Sequence, residues 1–285
     1  MSNGIARRQN EDKSIAKLAA QRQLYSNAKK ISICKAAFSV WIPFVLAIVL
    51  SFVNKESKCQ YIVHVLSILS LVVAFFVKNK IKECKNLAAL IQQQFDIYVY
   101  NMPWDDRIFG ENKELCYEIG CYSKKILNDS VERAKLINWY VPSVDEHSIN
   151  QAIQECQREN YCWDVALRKK FKGFCLLWIA VFIIIVFGLG CYKGEDVVQL
   201  IARLAFILPM IEWLLNTIEQ LNEDIENLKE IDSMLNRPST NSMEDLQDIQ
   251  KKIFDHRKGC YTIPNCVYNI FKDNDEDNAH RALRN

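Results

Sequence analysis

The sequence predicts an all-α membrane protein: four transmembrane helices in two hairpins, with a cytosolic helical bundle formed by the N-terminal, central and C-terminal segments. Three observations predict it. Half of the 285 residues are apolar and the formal net charge is +2, yet the Ile, Val, Leu and Phe gather in two pairs of long runs, separated by segments rich in Lys, Glu, Asp, Asn and Gln. Each pair of runs is closed by a very short polar loop. Lys and Arg collect on one side of the runs, as they do at the cytoplasmic ends of membrane spans.

Residues 1–33 are expected to form a cytosolic N-terminal helix. Across residues 10–31, Ile15, Leu18, Ala19, Tyr25 and Ala28 share one side, with Arg22, Lys29 and Lys30 elsewhere. That stripe is too thin for strong membrane binding, so packing on other cytosolic helices is expected.

Residues 34–78 form the first transmembrane hairpin, with runs AAFSVWIPFVLAIVLSFV (36–53) and YIVHVLSILSLVVAFFV (61–77). The second hairpin, residues 173–216, holds FCLLWIAVFIIIVFGLGCY (174–192) and the less apolar VVQLIARLAFILPMIEWLL (197–215). Crossing about 30 Å of hydrocarbon needs roughly 20 apolar residues, with a lower limit of about 17, and all four runs meet it. The first run lies behind a polar helix and is long enough to stay in the bilayer, so no cleavable signal peptide is expected. Lys29, Lys30 and Lys35 precede the first run, Lys78, Lys80, Lys82 and Lys85 follow the second, and Arg168, Lys169, Lys170 and Lys172 precede the third. The tight loops hold only Lys55, Lys58 and Lys193, which places the termini and the central segment in the cytoplasm. Trp41, Tyr61, Trp178, Tyr192 and Trp213 sit toward run ends, where interfacial aromatics belong.

The fourth run carries Gln199, Arg203 and Glu212, which are candidates to line a pore, together with Pro209. An arginine near mid-span costs about 2.5 to 3.5 kcal/mol on insertion scales, so it turns toward protein or water. Arg203 shares a stripe with Gln199. Glu212 lies on the opposite face, in line with Asn216, Glu219 and Glu223. A hydrated path is one reading of these residues; an interfacial Glu212 and a snorkelling or paired Arg203 are the other.

Residues 79–172 form the central cytosolic segment. No breaker follows the second run, so its helix is expected to continue to Tyr100 and end at Asn101-Met102-Pro103. Further helices are expected over 129–138 and 148–171. Residues 217–285 continue the fourth helix, with Ile218, Leu221, Ile225, Leu228 and Leu235 at three-four spacing as far as Arg237-Pro238. A last amphipathic helix starts at Ser242, with Asp245 at capping-box spacing, and an acidic tail follows. These helices form one cytosolic bundle or, through the same surface, associate subunits.

Catalytic chemistry is missing. There is no phosphate loop, nucleophile elbow or H-E-x-x-H, and eight Gly leave little material for one. The 11 Cys are scattered without a C-x-x-C pair and the four His are isolated, so neither metal nor cofactor is assigned. Two stretches have side chains that could hold a nucleotide. Arg158 and Arg168 could bind phosphate, with Trp163 stacking a base, although Asp164 and Arg168 at i and i+4 also make an ordinary helix ion pair. His256 and Arg257 precede a turn and either form an anion site or dock the C-terminal segment.

RQNEDKSIAKLAAQRQLYSNAKK (8–30), QQFDIYVYNMPW (93–104), NWYVP (138–142), CQRENYCWDVALR (156–168) and HRKGCYTIP (256–264) occur in this order. The ordered set resembles the SMODS-associated four-transmembrane effectors of bacterial cyclic-oligonucleotide anti-phage systems (CBASS), over nearly the whole chain. Cys260-Tyr261 departs from a more Pro-rich approach to Ile263-Pro264. The resemblance implies a non-enzymatic, pore-forming effector in the bacterial inner membrane, acting as a homo-oligomer. Its signal is then a cyclic oligonucleotide from a partner nucleotidyltransferase, its surroundings the lipid bilayer, and no nucleic acid polymer is a partner. A non-gated small channel, or a membrane anchor recruiting a cytosolic partner, remains as the alternative.

Overall fold

The structure, a computed structural model, describes residues 2–42, 45–46, 58–113, 115–194, 196–237, 242–265 and 267, with the side chains of 58–60, 62–64, 67, 71, 74, 199 and 202–206 outside the description. Much of the first apolar run, the polar loop after it and the acidic tail therefore lie outside the described residues.

Every regular element among the described residues is helical. The chain begins with α1 (Ile5–Gln9) and α2 (Asp12–Ala36), the latter passing into a π-helical turn, Ala37–Trp41. The long helix α3 (Lys58–Tyr100) leads to three short ones, α4 (Asp106–Phe109), α5 (Cys116–Leu127) and α6 (Ser130–Ala134). A 3-10 turn, Pro142–Glu146, precedes α7 (Ile149–Lys193), α8 (Val197–Leu235) and α9 (Met243–Gly259).

The ends of these helices follow local chemistry. α3 stops at Tyr100 because Asn101 turns left-handed (φ 56°) and Pro103 follows. α7 stops at Gly194 (φ 65°), a conformation that glycine adopts without steric cost, and α8 begins three residues later. At α9 the capping box forms: Ser242 accepts from the Asp245 N–H while the Asp245 carboxylate accepts from the Ser242 N–H.

The helix expected over 129–138 is shorter than its sequence suggests. Asp129 caps it by accepting from the Val131 and Glu132 N–H groups, but it ends at Ala134 and Asn138 adopts φ 54°. The reason is tertiary. The Asn138 N–H donates to Asn10 Oδ1 at 2.9 Å and Asn10 Nδ2 donates to Asn138 Oδ1 at 2.8 Å, which turns the chain so that Leu136 and Tyr140 enter the core. α5 had no counterpart in the sequence reading.

α2 packs along α3 and α5, α7 along α8, and α9 against α3, α7 and α8. The main core joins Leu18, Phe95, Tyr100, Leu136, Ile153, Leu228 and Leu246. A second cluster, with Phe171, Cys175, Leu214, Leu221, Ile263 and Val267, lies where α7 and α8 leave this core. Beyond it the surfaces change character. Ile184 (68 %) on α7, Phe75 (68 %) on α3 and Val198 (74 %) on α8 are among many large apolar side chains turned outward. Among the described residues α7 is long and apolar enough to cross a membrane, and only 17 % of its apolar stretch is buried, which a core helix of a soluble protein would not tolerate.

Candidate functional site

The main core is crossed by polar residues that interrupt the apolar stripes at helical spacing. On α3, Gln93, Asp96 and Tyr100 fall at i, i+3 and i+7; on α9, Gln250 and Arg257 lie seven apart; on α7, Gln157, Asp164 and Arg168 follow one face. Each is therefore carried inward by the helix that its apolar neighbours bury. A buried charge persists only when it is paired and hydrogen-bonded, and these are.

The first group centres on Asp96, which is fully buried. Its carboxylate accepts from Arg257 Nη1 at 2.5 Å, Gln250 Nε2 at 3.0 Å and the Tyr140 hydroxyl at 2.7 Å. The Tyr140 hydroxyl in turn accepts from the Tyr100 hydroxyl (2.8 Å) and Asn160 Nδ2 (3.1 Å). Gln9 of α1 clamps the Tyr140 backbone, donating to its carbonyl at 3.0 Å and accepting from its N–H at 2.7 Å. Burial would lower the Arg257 pKa, but the Asp96 charge prevails and holds the guanidinium protonated. Burial pushes the Tyr140 hydroxyl well above its ordinary value, so it stays a donor.

The second group centres on Arg168, 3 % exposed. It pairs with Asp224 of α8 and, at 3.1 Å, with Asp164 one turn back on its own helix. This is the i, i+4 pair expected from the sequence. Asp164 also meets His256 Nε2 at 2.7 Å, and Asp224 accepts from the Tyr261 N–H at 2.8 Å. Burial alone would raise the Asp164 pKa; the Arg168 charge and the His256 hydrogen bond outweigh it and hold the carboxyl below the usual range. Lys85 of α3 donates to the carbonyls of Gly259 (3.0 Å) and Cys260 (2.5 Å), where its charge complements the C-terminal end of α9.

The segment after α9 is thereby docked. Tyr261 stacks on Phe171 with ring centroids 5.9 Å apart, and Ile263 and Val267 are buried in the second cluster. Cys260-Tyr261, the departure noted in the sequence, supplies the lysine's acceptor and the stacking ring.

Of the nucleotide candidates, Arg168, His256 and Arg257 come together in these two adjoining groups, each facing a carboxylate. Arg158 and Trp163 are half-buried on α7. Of the pore candidates, Glu212 is exposed on α8, while the side chains of Gln199 and Arg203 lie outside the described ones. Sequence reasoning missed Asp96, Asp224, Tyr140 and Gln250. For Asp96, Asp224 and Gln250 the signal was a polar residue at a core-stripe position of a helix, which identified no partner; Tyr140 lies in a turn and carried no such signal. A groove of 660 Å³ between α8 and α9 reaches Asp224 and His256 from solvent; Glu223, Glu230, Asp248 and Asp255 outnumber Lys251 and Lys252 there, which disfavours an anion.

Functionally, the arrangement is a fastening. Removing one partner of a buried ion pair costs about 3–5 kcal/mol, whereas the intact pair contributes little net stability. Its effect is to hold α3, α7, α8 and α9 in one register.

Residues 3–285 match the family model described as the SMODS-associating 4TM effector domain. A protein of Bacillus cereus (strain VD146) described as a "Probable CBASS effector molecule" is 22 % identical over 284 residues, which cover 95 % of this chain and 94 % of the relative. No solved structure matches.

Proposed function

Because this chain belongs to the SMODS-associating 4TM effector family, we propose that it is an anti-phage effector that permeabilises the bacterial inner membrane on a cyclic oligonucleotide signal from a partner nucleotidyltransferase. In this reading it crosses the membrane four times, keeps both termini in the cytoplasm and works as a homo-oligomer. The observation that carries the reading is continuity: α3, α7 and α8 each run without a break from an outward-facing apolar surface into the ion-paired core. A continuous helix carries a rotation or shift along its length except where it bends, as Pro209 allows in α8, so α3 and α7 are the direct routes from the paired groups to the apolar surface.

The pairs also supply what a switch needs. A ligand moves an equilibrium only by binding one state better than the other. In the paired form Arg168 and Arg257 already face carboxylates. A phosphodiester competing for them binds a form in which those pairs have parted, which is the differential affinity required.

The test is ion flux and dye release from liposomes holding the purified full chain, with a panel of cyclic di- and trinucleotides. Leakage that appears with one nucleotide alone is the expected result. Leakage without any nucleotide would point to a non-gated channel, and a tight membrane throughout, with the protein folded, to an anchor for a cytosolic partner.

A further inference from the structure

Two faces of opposite charge lie just beyond the apolar stretches, on helices that do not neutralise each other. On α3, Lys78, Lys80 and Lys82 follow the apolar run and all are exposed. Lys80 shares its charge with Glu83 at 3.0 Å, while Lys78 and Lys82 make no ion pair among the described residues. On α8, Glu219 and Glu223 beyond the fourth run continue an exposed stripe from Glu212 in the run's last turn, and none of the three makes a hydrogen bond or ion pair among the described residues. α3 packs along α2 and α9, and α8 along α7 and α9.

Their depths agree. At about 1.5 Å per residue, Lys78 to Lys82 lie roughly 2–8 Å beyond the second apolar run, and Glu219 and Glu223 roughly 6–12 Å beyond the fourth. Carboxylates at that distance fall within about one Debye length of an anionic leaflet, which repels them. Lys251 and Lys252 of α9 share the groove with Glu223 but are outnumbered there by carboxylates, and none of the three α8 glutamates makes an ion pair within the described residues of its own subunit, so a further cationic face stabilises them.

We propose that the acidic face of α8 docks on the basic face of α3 in a second copy of this chain. Two unlike patches that fit each other make a head-to-tail contact, and head-to-tail contacts close into a ring when the rotation closes. A ring encloses a central path, so the inference rests on the pore reading above and gives it an interface. Each subunit uses its lysines toward one neighbour and its glutamates toward the other.

The experiment reverses the faces in the full chain, reconstituted with and without anionic lipid, and reads assembly by cross-linking and native mass spectrometry; protease protection checks topology. Lys78→Glu with Lys82→Glu puts acid against acid, and Glu219→Lys with Glu223→Lys puts base against base, so each pair is expected to lower assembly by at least about tenfold. Assembly returns when all four changes sit in one chain, or when the two variants are mixed. Assembly unchanged by either reversal, or no recovery on combining them, overturns the interface. So does a loss confined to the lysine variant in anionic lipid, which would assign those lysines to headgroups. Nucleotide-dependent leakage that survives the reversals would sink the interface and leave the pore reading standing; a wild-type chain that stays monomeric with and without nucleotide would sink the pore reading itself.

Discussion

The two halves of α7 belong to one unbroken helix and bury opposite things. In the first half Ala152, Ile153 and Cys156 are inside, and so are Gln157 and Arg168, each held by partners from other helices. In the second half Leu177, Ile184 and Tyr192 point outward, at 60 %, 68 % and 88 % exposure. The helix does not end where its surroundings change. Facing water, the chain hides apolar surface and must satisfy whatever polar groups go with it; facing hydrocarbon, apolar surface costs nothing to display. The part of the chain richest in charge therefore owns the buried ion pairs, and the most apolar part has the least packed exterior.

The strongest way to break this contrast is to strand a charge in the polar half. Arg257→Met leaves Asp96 buried without its cation and is expected to destabilise the fold by about 3–5 kcal/mol, measured as a lower Tm in detergent by circular dichroism. Adding Asp96→Leu should recover most of the loss. A double variant no more stable than Arg257→Met alone would mean that the pair acts through more than its charge.

The same apolar truncation in both halves sharpens the contrast. Leu246, wholly buried in α9, is expected to lose about 2–5 kcal/mol on change to Ala. Leu177→Ala, on the outward face, should stay within about 0.5 kcal/mol. Similar losses at the two sites would place Leu177 in a packed interface.

The smallest effect is a matter of pH. Burial pushes the Glu159 carboxyl up to about 7, against a backbone hydrogen bond at Val141 that lowers it; an unfolded glutamate titrates near about 4.3. Between those values the folded form keeps a proton that the unfolded chain has released, so this group's contribution is full below the lower value and is lost as pH rises through the higher one. Asp164 has the opposite sign: its carboxyl is depressed in the fold, so its contribution is present at neutral pH and lost in acid, below the range where Glu159 acts. Glu159→Gln should flatten the fall of Tm between about pH 5 and 7 and leave the acid limb in place. A slope that persists in the variant would assign it to another group.

Several parts of this architecture were legible residue by residue. Asn101 and Pro103 end α3, Ser242 and Asp245 begin α9, and Asp164 and Arg168 pair one turn apart, because each depends on neighbours within a turn of helix. The all-helical class and the family likewise followed from periodicity and ordered stretches of sequence. Asp96 and Arg257 were different. They lie 161 positions apart, and their pairing depends on which face of α3 meets which face of α9.

The sequence by itself determined that the chain is helical, where α3 stops and α9 starts, and that apolar and charged segments alternate along it, since propensity, capping and periodicity act over a few residues. That the helix expected over 148–171 runs on unbroken to Lys193 was not among these. The tertiary structure decided that Arg168 meets Asp224 as well as Asp164, and that His256 and Arg257 face carboxylates rather than solvent. It also decided that the helix after Asp129 stops at Ala134 to let Leu136 and Tyr140 into the core, and that Cys260 and Tyr261 fasten the segment after α9. The physical reason is the same in each case: a buried polar group takes its partner from whatever the fold brings within about 3 Å, and no local rule selects that neighbour.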